Sequence, residues 1–130
     1  MNTHRLAVNL IGFTTIVLAS LTFLPTSARA HAPQDIQLGY DAVSKVLTVT
    51  ITHTSIVPTL HYVKQVEIKK NSTIVNSQTY ESQPDRTTFS YTYTVPAEPG
   101  DVIEATGSCN FFGSTTSKLL VGKPEGKPAE

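Results

Sequence analysis

From Asp35 onward apolar and polar residues alternate in short runs, with breaks every eight to twelve residues. Lys45-Val46-Leu47-Thr48-Val49-Thr50-Ile51-Thr52-His53 puts Leu47, Val49 and Ile51 on one side and Thr48, Thr50 and Thr52 on the other. A period of two built from β-branched residues predicts a half-buried strand. Asp35–Tyr40 carries Ile36, Leu38 and Tyr40 on one face, and 41–44 reads as the turn that pairs these two strands into a hairpin. Tyr62–Lys70 predicts a third strand with Val66 and Ile68 inward and Glu67 and Lys69 outward. After an Asn71-Ser72 turn, Ile74–Tyr80 predicts a fourth, weaker strand, and Ser82-Gln83-Pro84-Asp85 a loop. Phe89–Val95 alternates aromatic with hydroxyl side chains. Pro99-Gly100-Asp101 is a turn, Val102–Cys109 a sixth strand with Ile103, Ala105 and Gly107 on one face, and Thr115–Val121 a seventh.

No apolar stripe of helical period and length interrupts this series. The expected fold is therefore all-β: an immunoglobulin-like antiparallel β-sandwich of about seven strands, without the Cys…Trp…Cys core of antibody domains.

The first thirty residues follow different rules. His4 and Arg5 precede a mostly apolar stretch from Leu6 to Leu24, Pro25 ends it, and Thr26-Ser27-Ala28-Arg29-Ala30 supplies small residues in an Ala-x-Ala arrangement. This is the pattern of a secretory signal peptide, residues 1–30, with cleavage expected after Ala30. The alternative is a retained anchor, since the run is about long enough to span a bilayer. The expected organisation is then a signal, a sandwich domain over residues 31–121, and a tail over residues 122–130. That tail, rich in Gly, Pro, Lys and Glu, is expected to be disordered. The expected location is outside the cytoplasm, periplasmic or extracellular, with no membrane contact after cleavage.

Composition sharpens the picture by exclusion. Ten basic and ten acidic residues balance in the 130-residue chain. Without Arg5 and Arg29 eight basic residues face ten acidic ones, a formal net of −2. No gathered positive charge is present to meet phosphates, so nucleic acid is excluded as a partner. One Cys excludes an internal disulfide framework. No Gly-x-Ser-x-Gly elbow, phosphate-cradling glycine loop or dinucleotide fingerprint occurs.

The remaining candidates for chemistry are His31, His53, His61 and Cys109. His53 closes the second predicted strand, His61 opens the third, Cys109 closes the sixth, and His31 becomes the N-terminus after cleavage. His53 and His61 flank one loop and are expected to be neighbours. Imidazole nitrogen with thiolate sulfur suits iron, copper or zinc rather than calcium or magnesium. The competing structural reading makes each His a solvated strand-end residue and Cys109 an inert core thiol.

Three segments, in order, resemble the iron-binding domain of superoxide reductases of the desulfoferrodoxin and neelaredoxin types. They are His31-Ala32-Pro33; His53…His61-Tyr62-Val63 leading into Val66-Glu67-Ile68; and Pro99-Gly100-Asp101 followed by Cys109-Asn110-Phe111-Phe112-Gly113. The resemblance spans most of His31–Val121. It implies an immunoglobulin-like sandwich, one non-haem iron held by four equatorial His nitrogens and an axial Cys thiolate, and one-electron reduction of superoxide. A small electron-donor protein is the implied partner. The chain departs from the pattern at several points. The last His of the family's Cys-Asn-x-His-Gly turn falls at Phe112, its His-Pro becomes His53-Thr54, its loop is shorter than the interval from His53 to His61, and its Lys before His-x-Pro falls at Ala30. His31, His53, His61 and Cys109 are thus the expected metal ligands of an incomplete iron site, and oxidoreductase activity depends on whether that site is retained. Copper is the alternative, bound by the His31 imidazole together with its new α-amino group, since Cu(II) favours tetragonal nitrogen ligation. A metal-free immunoglobulin-like interaction module is the third reading, with Phe111 and Phe112 filling the space of a metal.

Overall fold

The computed structural model describes residues 31–122. The predicted signal over residues 1–30 and all of the predicted tail beyond Gly122 lie outside these residues. Seven strands follow in chain order: β1 (Asp35–Asp41), β2 (Val46–Thr52), β3 (Val63–Lys70), β4 (Thr73–Thr79), β5 (Thr88–Thr94), β6 (Val102–Cys109) and β7 (Ser114–Leu120). Each lies within about two residues of the strand its alternation predicts, and no helix occurs among the described residues. No helix there is long and apolar enough to cross a membrane.

Every pairing is antiparallel, in a three-stranded sheet of order β1-β2-β5 and a four-stranded sheet of order β4-β3-β6-β7. The chain therefore crosses between sheets three times, at β2–β3, β4–β5 and β5–β6. This is the Greek-key connectivity of an immunoglobulin-like sandwich. Two apolar faces meet between the sheets. Ile36, Leu47, Val49, Ile51, Phe89 and Tyr93 come from one, and Val63, Val66, Ile68, Ile103, Ala105 and Cys109 from the other. The outward Thr and Ser of β2 and β5 pair across the strands, Thr50 Oγ1 lying 2.8 Å from Ser90 Oγ.

Local chemistry sets the turns. Asp41 Oδ1 accepts from the backbone N–H of Val43 (2.8 Å) and Ser44 (3.2 Å), an Asx turn that holds its carboxyl below the usual value. Asn71 and Ser72 both take positive φ (49° and 70°), the combination that a tight β3–β4 hairpin requires. The register of β3 against β6 slips between Val63 and Gln65, so Lys64 forms a bulge. The bulge reverses the parity of β3: Val63 turns inward although it lies three residues before inward-facing Val66. It also pairs Val63 directly with Cys109, beside the residues that concern function.

Candidate metal centre

Crossing from β2 to β3 brings the end of β2 and the start of β3 to one end of the sandwich, where β6 also finishes. His53 follows β2, His61 precedes β3, and Cys109 is the last residue of β6. One potential ligand atom from each of these three residues lies within 4.8 Å of the other two. The His53 and His61 ring centroids are 4.5 Å apart. The sequence expectation of a shared neighbourhood is met, and neither His53 nor Cys109 is a solvated strand end: each is 2% exposed.

Asn110 ties the two sides of this group together. Its backbone N–H donates to Tyr62 O (2.9 Å), its Oδ1 accepts from Tyr62 N (3.0 Å), and its Nδ2 donates to Leu60 O (2.9 Å). Residues on both sides of His61 are thereby held by the residue after Cys109. The same Oδ1 lies 3.7 Å from Cys109 Sγ, within reach of a weak S–H donor. Cys109 N in turn donates to Gly113 O (3.0 Å), closing the turn that carries Phe111 and Phe112.

His61 Nε2 is buried and has no hydrogen-bond partner. Burial, followed by the neighbouring His53 and His31, pushes the His61 imidazole below its ordinary value. It is thus favoured as the neutral, lone-pair-bearing form, which is the form that ligates a metal.

His53 is held by a residue that the sequence reading placed only in a loop. Gln83 is 4% exposed. Its Nε2 donates to His53 O (2.8 Å) and to Asp85 O (2.7 Å), which fixes the amide orientation, since both partners are carbonyl oxygens. Its Oε1 therefore faces the ring, at 2.6 Å from His53 Nδ1. Backbone bonds from Gln83 N to Pro58 O and from His53 N to Thr87 O seat the β4–β5 loop against the β2–β3 loop. Nothing in the local sequence marks Gln83. Its partner lies thirty residues away and meets it only through the fold.

His31 stands beside the group rather than within it. Its ring packs edge-on to His61 at 5.3 Å, its carbonyl oxygen lies 3.1 Å from His53 Nε2, and its Nδ1 is buried without a partner. Gly113 explains how the N-terminal segment comes so close. Gly113 takes φ +93°, and a Cβ there would lie 2.9 Å from Ala32 Cβ and 3.0 Å from Ala32 N. Phe111 lies 5.3 Å from the His61 ring and Phe112 5.1 Å from the His31 ring, yet the two phenylalanines are 54% and 63% exposed. They border the imidazoles from the solvent side instead of filling a core position, contrary to the space-filling role considered for them from sequence.

Two imidazoles and one thiol, with a third imidazole adjacent, form a nitrogen–sulfur donor set for a transition metal and a poor one for calcium or magnesium. The orphaned His61 Nε2 fits such an ion, because a coordinate bond would satisfy the lone pair that no protein donor reaches.

No protein-family model matches the chain, and no curated protein matches it. Among solved structures the chain is similar to the superoxide reductase (neelaredoxin) from Ignicoccus hospitalis and to two variants of it. The unmodified protein aligns at 13% identity and TM-score 0.45, covering 75% of this chain and 87% of that one. The variants align at 14% and 10% identity, with TM-scores of 0.46 and 0.47. They cover 75% and 74% of this chain, and 83% and 85% of theirs.

Proposed function

We propose that the chain is an exported mononuclear metal-binding protein, with His53, His61 and Cys109 as ligands, His31 as a neighbouring fourth donor, and non-haem iron as the metal. The observation that carries this reading is the convergence of two imidazoles and a thiol from three separated segments, with His61 Nε2 buried and unpartnered. A buried polar atom without a partner is costly unless something outside the protein's own bonding satisfies it.

Bound iron would supply the one-electron reduction of superoxide, with protons from solvent yielding hydrogen peroxide and the electron coming from a small donor protein. The chain's own residues have defined parts in such a site. Cys109 and His61 would be ligands, Asn110 holds the chain on both sides of His61, and the exposed Phe111 and Phe112 border the imidazoles from the solvent side. Phe112 occupies the place where the superoxide reductase pattern has a His, so the donor set is smaller than in that family. Iron(II) stands low in the affinity order and relies on ligand number and geometry, so a lost ligand weakens its binding.

That smaller donor set gives copper a specific claim. His31 Nδ1 is buried and unpartnered, and it is the ring nitrogen that can close a chelate with the residue's own α-amine once Ala30 is removed. Metal analysis of the protein purified from the compartment to which it is exported distinguishes the readings. Iron with a thiolate-to-iron(III) visible band, lost in Cys109→Ala, supports the iron centre. Copper retained in Cys109→Ala but lost when one residue is added before His31 supports the copper reading. Absence of both metals after anaerobic purification removes both and leaves a sandwich that acts as an interaction module.

A further inference from the structure

The His53 imidazole lies between two oxygen acceptors, Gln83 Oε1 at Nδ1 (2.6 Å) and His31 O at Nε2 (3.1 Å). A neutral imidazole has one N–H and can satisfy only one of them. The shorter contact belongs to Gln83, whose orientation is locked by its own two N–H bonds to His53 O and Asp85 O. We infer that Gln83 is a positioning residue: it holds the proton of His53 on Nδ1, so that Nε2 presents its lone pair and becomes the ligand atom. This rests on the metal-binding reading above and names which nitrogen serves it and what selects that nitrogen.

The physical reason is competition for one proton. With Gln83 in place, Nδ1–H donates to Oε1 and the Nε2 lone pair is left without a donor; a cation at Nε2 would displace or share the His31 carbonyl oxygen that lies 3.1 Å away. Without that acceptor, the proton moves to Nε2 and donates to His31 O, which occupies the nitrogen a metal needs. A hydrogen bond to the far nitrogen of a ligating imidazole fixes its tautomer and its ring orientation together. Gln83 is neutral and almost fully buried, so it orients the ring without adding a buried charge.

The test uses the metal-free protein, with its histidines labelled by nitrogen-15, and the variants Gln83→Leu and Gln83→Met. Long-range proton–nitrogen correlation spectra read the tautomer of His53 directly. The expected result is Nδ1–H in the wild type and Nε2–H in Gln83→Leu and in Gln83→Met, whose thioether is close to the amide in length and only a weak acceptor. Anaerobic titration with Fe(II), and separately with Cu(I), is expected to give affinity lower by about 10- to 100-fold in Gln83→Leu. A wild-type His53 protonated at Nε2 alone overturns the inference. So does metal affinity in Gln83→Leu equal to that of the wild type. If Gln83→Leu does not fold, the wild-type and Gln83→Met spectra decide it, because retention of the Nδ1–H form in Gln83→Met is likewise contrary. A wild type in the Nδ1–H form that takes up neither metal overturns the metal-binding reading and leaves the tautomer assignment intact.

Discussion

Gly113→Ala tests whether the N-terminal segment is fixed beside the candidate centre. Two separable penalties act at this position. Left-handed backbone costs an L-residue about 1–2 kcal/mol, and φ here is +93°. The new Cβ would also lie 2.9, 3.0 and 3.1 Å from Cβ, N and Cα of Ala32. Two of these atoms are backbone and cannot rotate away, so residues 31–33 must shift, at about 1–3 kcal/mol for overpacking. The expected total is about 2–5 kcal/mol. Gly100→Ala is the internal control: φ there is +97°, but a Cβ meets nothing within 4 Å, so only the backbone penalty remains. Urea unfolding followed by far-ultraviolet circular dichroism gives both midpoints, and with equal slopes their difference isolates the Ala32 contact. Gly113→Ala is expected to lose about 1–3 kcal/mol more than Gly100→Ala. Adding Ala32→Gly, which removes the 2.9 Å contact, is expected to restore part of that excess and no part of the Gly100→Ala loss. Equal losses at the two glycines would refute the docking of the His31-Ala32-Pro33 segment against the β6–β7 turn.

Three further outcomes are expected. Ile68→Ala, at a fully buried position of β3, costs about 2–5 kcal/mol, whereas Ile74→Ala, at a 54%-exposed position of β4, stays within about 0.5 kcal/mol, both read from urea midpoints. The carboxyls of Asp41, Asp85 and Asp101 are held below their ordinary 3.8, first by backbone N–H groups of Val43, Thr87 and Glu98 respectively. Because their folded values are depressed, the stability they contribute is complete above about pH 3.8 and is lost as pH falls through the lower folded values. A urea midpoint that does not fall in that acid range, or falls as steeply in Asp101→Asn, would contradict this. Phe112→His places a further imidazole beside His31 and is expected to tighten Fe(II) binding in anaerobic titration. Its stability cost is within about 0.5 kcal/mol, since Phe112 is 63% exposed.

The sandwich was legible because its signal is local. Alternation in Lys45–His53 and Phe89–Val95 needs only neighbouring residues to declare which side faces the core. The clearest departure is at β3, where strict alternation leaves Val63 on the wrong face. The Lys64 bulge turns it inward, and that bulge exists only in the pairing with β6. The candidate ligands were legible as types, since His and Cys are scarce and stand at strand ends. That His53 and His61 would meet was legible from the loop they share, but the side chains that hold the group were not. Asn110 meets Leu60 and Tyr62 across about fifty residues of chain, and Gln83 meets His53 across thirty.

By itself the sequence therefore determined the seven strands, the buried faces of the strictly alternating ones, and the short roster of nitrogen and sulfur donors, all of which depend on residue type and short-range period. Only the tertiary structure decided how those donors are placed and held. It gathered His53, His61 and Cys109, set His31 beside them, left Phe111 and Phe112 on the solvent side, and put Gln83 Oε1 against His53 Nδ1. The physical reason is that hydrogen bonds and ligand distances are satisfied between strand ends and loops far apart in the chain. No periodicity along the sequence encodes those meetings; the crossing of two sheets does.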